Sequence, residues 1–162
     1  MAGEMNKQIF EPSKSKLGDI DAKYAVLISY LGMGILGIIS GASFVAWIVP
    51  LVIYFVDKEN KFIAFHAMQA LLLGVFVTII NIILAIVVAV SVVGAVAGAA
   101  LLNPFAATAG FGAIVVTGII AVVIGILVLI GAILALVKGM KYEIYLIPIV
   151  GKFAEKIVFK TS

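Results

Sequence analysis

The sequence predicts an all-α, polytopic membrane protein: a bundle of four transmembrane helices with a short amphipathic C-terminal tail. Three observations predict it. Residues 62–102 run for 41 positions without an Asp, Glu, Lys or Arg, about twice the ~20 apolar residues that cross a bilayer core as a helix. The chain is 65% hydrophobic and only 12% charged, against roughly 25% charged residues in a soluble domain, so lipid must serve as solvent for most of it. All 11 lysines fall outside the apolar runs, and there is no arginine.

In chain order, residues 1–22 read as a polar arm, where Lys7, Lys14 and Lys16 are offset by Glu4, Glu11, Asp19 and Asp21. Pro12, Ser13 and Ser15 mark it as loop or disorder. Asp19 and Asp21 are candidate caps for the helix that follows. The membrane domain is expected over 23–138, with spans at about 24–40, 43–57, 62–102 (including an extension) and 112–138. The first two apolar runs are short, separated by Ser40-Gly41-Ala42-Ser43, with Pro50 placed to kink the second. They read either as a tight hairpin of two crossings or as a re-entrant pair; a cleaved signal segment is a third reading, disfavoured by the long, uncharged-on-balance region before it. The loop Asp57-Lys58-Glu59-Asn60-Lys61 is compact and charged. Gly94, Gly98, Asn103, Pro104, Gly110 and Gly112 punctuate the far end of the long run and predict an uncharged loop over 103–112. Residues 139–162 form a basic tail in which Lys152–Phe159 suits a short helix at the membrane interface, lysines toward anionic headgroups.

Four lysines lie in or at the end of the arm, two in the 57–61 loop and five in the tail. An even number of crossings gathers all of them on one side, and the positive-inside rule makes that side the cytoplasm, with both termini there. The localisation expected is the cytoplasmic membrane.

Between helices in lipid, small residues permit close packing. Gly118, Ala121, Gly125 and Ala132 form such a seam on the last span; Gly74, Asn81, Ser91 and Gly98 share one on the long helix. Asn81, deep in the apolar run, should turn inward, either as a hydrogen-bonded tie between helices or as part of a polar path with Thr78, Ser91 or Thr117. His66, the only histidine, and Gln69 share a helix face at the membrane boundary. They read as a polar cap bonding the preceding loop or the tail, or else as a ligand, headgroup or proton site.

Catalytic equipment is lacking in the sequence. There is no cysteine, no HExxH, no Walker A loop and no nucleophile elbow, and no carboxylate pair lies within the spans. Gly32-Met33-Gly34-Ile35-Leu36-Gly37 matches GxGxxG only formally, because it sits inside an apolar run rather than after a strand. No enzyme, cofactor, metal or nucleic-acid partner is expected. The partners expected are the lipid bilayer and a second copy of the chain or another membrane protein.

Ile28-Ser29-Tyr30-Leu31-Gly32, Ile48-Val49-Pro50-Leu51, Lys58-Glu59, Phe65-His66-Ala67-Met68-Gln69-Ala70 and Ile147-Pro148-Ile149-Val150-Gly151 together resemble the four-span proteins related to the Tic-twenty subunit of the chloroplast inner-envelope import machinery. The resemblance covers roughly 24–155. It implies four transmembrane helices with both termini on one side and, for the chloroplast members, a part in protein translocation; it brings no catalytic residues. The function expected is a non-enzymatic interaction or translocation-type component. The alternative is a small channel or transporter with a path near Asn81 and His66.

Overall fold

A computed structural model of the protein describes residues 8–40 and 46–159. The described residues form five helices: α1 (Ala22–Ser40), α2 (Ile48–Val56), α3 (Lys61–Ala100), α4 (Pro104–Gly139) and α5 (Val150–Phe159). Among the described residues no strand forms; two isolated antiparallel bridges, Ile9 with Glu143 and Lys14 with Asp21, are the only extended pairings.

The expected four spans become two. Helices α3 and α4, of 40 and 36 residues, are long and apolar enough to cross a membrane; at 1.5 Å per residue they reach about 60 and 54 Å, well beyond a ~30 Å core. Helix α2 has nine residues, about 13 Å, too short for the second span expected at 43–57. Helix α1 has 19 residues, and its apolar stretch among the described residues is Ala22–Leu36. Its inner face, Ala22, Ala25, Val26, Ser29 and Tyr30, is buried, whereas Leu31, Ile35 and Leu36 are exposed. The break expected at Gly41–Ser43 lies outside the described residues.

The helix ends explain where the chain turns. Asp21 starts α1, its carboxylate accepting from Lys23 N at 3.1 Å. Pro50 does not kink α2; it sits in the first turn, where its missing N–H would have had no intrahelical partner. Asn60 starts α3, its side chain accepting from Ile63 N at 3.3 Å. Most informative is the far turn. Residues 103–112 are not a loop: Asn103 caps α4, accepting from Ala106 N at 3.1 Å, and Pro104 takes the first helical position, where proline is favoured. Leu102, at φ 54°, closes α3 in a Schellman turn in which Asn103 N donates to Gly98 O and Leu102 N to Ala99 O. Tyr142, at φ 59°, closes α4 in the same way, with Glu143 N donating to Lys138 O.

Two compact units result: Met1–Phe76 with Leu129–Ser162, and Val77–Val128. The first, unit 1, contains every Lys, Asp and Glu and the one His. Its core is Ala64, Phe65 and Met68 of α3 packed with Ile144 and with Ala154 and Val158 of α5. Gly32 lets α1 meet α2, because a Cβ there would lie 2.9 Å from Val49 Cγ1. The second, unit 2, is the hairpin of the far parts of α3 and α4. It carries no charged residue and exposes Ile82, Ile86, Val90, Val93, Ile119 and Val122, among others. Each of its arms is about 24 residues, or ~36 Å, matched to a bilayer core. The arms close tightly at two glycines: a Cβ on Gly98 would lie 2.4 Å from Ala107 N, and one on Gly110 2.5 Å from Ala95 N.

Candidate functional site

Within unit 1, the first turns of α3 carry a buried polar clamp. His66 and Gln69 are fully buried and three residues apart, so both face the extended segment 143–147 that links α4 to α5. Gln69 uses its whole amide. Its Nε2 donates to Tyr145 O and to Tyr30 Oη, both at 3.0 Å, and its Oε1 accepts from Ile147 N at 3.2 Å. His66 Nε2 donates to Glu143 O at 3.2 Å, which fixes the neutral ring's proton on that nitrogen. Nδ1 is buried without a hydrogen-bond partner. Edge-on rings enclose the imidazole: Phe62 at 4.9 Å, Phe65 at 5.4 Å and Tyr30 at 6.1 Å between centroids. Two glycines make the room. A Cβ on Gly151 would lie 2.7 Å from Gln69 Oε1, and one on Gly139 would lie 2.7 Å from Val26 Cγ1 and 3.3 Å from His66 Cε1.

A second set of bonds ties the arm to the same unit. Asp57, read from the sequence as a loop acid in water, is buried. It accepts from the Ser15 hydroxyl and from Lys16 N at 2.7 Å. Asn60 Nδ2 donates to Ser13 Oγ at 3.0 Å, and Lys16 pairs with Glu59 at 2.5 Å, holding that carboxyl below its usual range. Phe10 N donates to Tyr142 O at 2.9 Å, and the Phe10 ring lies 5.6 Å from Phe62. The Tyr142 hydroxyl donates to Asp21; this bond lowers the Asp21 carboxyl, while desolvation and the same carboxylate push the phenol up to about 12. From residue 8 onward the expected loose arm is therefore a strap across the loop at 57–60 and the end of α4. None of its partners carries a local sequence signal; each joins residues tens of positions apart.

The other sequence candidates lie elsewhere. Asn81 is exposed on α3 and its side chain makes no hydrogen bond to another described residue, contrary to the expected inward orientation. Among the described residues of unit 2, α4 is the helix that α3 packs against, so a single flank is covered. The Ser91 and Thr117 hydroxyls donate to carbonyls one turn back, Val87 O at 2.7 Å and Ala113 O at 2.8 Å. Gly74 packs beneath Met33 and Trp47, and Gly98 at the hairpin turn. A Cβ at Gly118 or Gly125 would meet nothing within 4 Å. Ala121 and Ala132 are half-buried. Among the described residues, no group of three or more His, Cys, Asp or Glu side chains is placed to hold a metal ion.

Two long apolar helices, little buried along their apolar stretches, together with a unit that holds every charged side chain, define a membrane protein. The chain belongs to the MamF/MmsF family, the magnetosome magnetite crystal formation protein family, whose model matches residues 21–154. This match corrects the Tic-twenty resemblance: the stretches that carried it, Phe65–Ala70 and Ile147–Gly151 above all, fall within the matched range and supply the clamp and its docked segment. The translocation role that the resemblance implied has no support from this family. No curated protein and no solved structure matches the chain.

Proposed function

We propose that the chain is a non-enzymatic membrane component of magnetite crystal formation, anchored by the unit 2 hairpin and engaging neighbouring membrane proteins, including further copies of itself, through unit 1. The observation that carries this reading is the segregation of chemistry. Every charged side chain lies in unit 1, and a bilayer-length stretch on each arm of unit 2 has none. Helices α3 and α4 make the two full crossings, while α1 and α2 form a shallow pair that returns to its own side. The number of crossings stays even, so the arm, the 57–61 loop and the tail share the cytoplasmic face. The clamp supports a binding rather than a chemical role, since Gln69 is saturated by backbone partners and Tyr30 and the Phe rings shut His66 away from substrate.

Complementation tests the reading in cells that form magnetite and lack this chain. At matched protein level in the membrane, Gln69→Leu should change crystal number and size, because unit 1 loses its docked segment, and Asn81→Leu should restore the wild-type pattern. Loss of function with Asn81→Leu alone would instead favour a solute path along the spans.

A further inference from the structure

A cleft of about 170 Å³ opens in unit 1 between the 57–61 loop and the last turn of α5, lined by Tyr54, Lys58, Lys61, Ala64, Ile157 and Val158. Two lysines sit at one small opening. Lys61 is fixed there, its ammonium donating to Val158 O at 2.9 Å, and Lys58 is exposed with no ion pair among the described residues. Nearby acid does not cancel them: Glu59 is taken by Lys16, and the one carboxylate of α5, Glu155, is half-buried.

The outer face of α5 supplies the second half of the argument. Val150, Gly151, Ala154 and Val158 are buried, yet Phe153 and Ile157, four apart, remain 56% and 38% exposed, as does Ile149 just before the helix at 59%. Lys152 and Lys156 flank them, with the Lys156 ammonium 5.9 Å from the Phe153 ring centroid. Ile157 belongs both to this stripe and to the cleft wall. A cationic opening continuous with an exposed apolar stripe suits a molecule that is anionic at one end and aliphatic at the other. Free phosphate would use only the first half.

We infer that this cleft binds the phosphate of an anionic phospholipid, Lys58 and Lys61 taking the headgroup and Ile157 and Phe153 taking the start of the acyl chains. The site is independent of the His66–Gln69 clamp, and it makes α5 a lipid-reading element as well as a wall of the core.

Native mass spectrometry of the full chain extracted from vesicles of three parts phosphatidylcholine to one part phosphatidylglycerol tests it. The wild type should retain phosphatidylglycerol in excess of its share. Lys58→Gln should lower that excess about fivefold, the factor for one lysine at an anionic surface, and Phe153→Ser should lower it too. Lys141→Gln removes the same charge from an exposed site away from the cleft and should leave it unchanged. Retention in proportion to the vesicle composition, or an equal loss with Lys141→Gln, would overturn the site. Displacement of the lipid by millimolar inorganic phosphate would overturn the lipid assignment and make the cleft a free-phosphate site.

Discussion

His66 and Gln69 show what a residue can reveal of its own role. Two polar side chains three apart at the start of a long apolar helix must share a face, and that much is legible. The tail is also legible as one of two candidate partners, and it is the one they bond; which of its groups they bond is not. Glu143 O, Tyr145 O and Ile147 N are backbone groups more than seventy positions away, and backbone groups leave no mark on composition or spacing. Asp57 makes the same point: a carboxylate in a charged loop reads as solvated, and only the fold brings Ser15 and Lys16 N onto it. Gln69→Leu keeps the volume of the side chain and removes both its donors and its acceptor, leaving Ile147 N and Tyr145 O buried and unpaired. At roughly 1–3 kcal/mol for each orphaned group, the loss should be about 3 kcal/mol. Tyr30→Phe removes one acceptor and should cost about 1 kcal/mol. Thermal unfolding in detergent distinguishes the two; equal midpoints for both variants would show that Gln69 does not hold the segment.

At the scale of elements, hydropathy located the long apolar helices and mistook one of their boundaries, the start of α4. Asn103, Pro104, Gly110 and Gly112 are residues of loops, but here Asn103 and Pro104 are the cap and first position of α4, and Gly110 is a point of contact. The distinction depends on a neighbouring backbone that the local sequence does not contain. The second expected span failed for a different reason: its residues are apolar enough, but the helix has nine of them. The contact glycines can be told from the idle ones by substitution. Gly98→Val would drive a side chain into Ala107 N and Ala106 C, at 2.4 and 2.8 Å from the new Cβ. Backbone atoms cannot swing aside, so about 1–3 kcal/mol should be lost to overpacking. Gly118→Val meets open space and should leave the melting midpoint unchanged or raised, because valine is the better helix former. A larger loss at Gly118 than at Gly98 would contradict the hairpin geometry.

The whole molecule divides by charge more sharply than by sequence position. Unit 1 gathers residues from both ends of the chain; the lysine pattern puts them on one side but does not show which of them touch, whereas the uncharged character of 77–128 is plain from the sequence alone. The topology that follows is open to direct test. A membrane-impermeant amine reagent applied to sealed, oriented vesicles should label Lys14, Lys58 and Lys152 from one face and none of them from the other. Labelling of Lys14 and Lys152 from opposite faces would require an odd number of crossings. The three-residue turn at Leu101–Asn103 carries a consequence for biogenesis. Leu101 and Leu102 are 79% and 88% exposed, and the Asn103 amide oxygen is already engaged as a cap. Such a tip brings no ion and little unsatisfied polarity with it into hydrocarbon, so both arms can pass through the bilayer together, with no hydrophilic loop to be hauled to the far side.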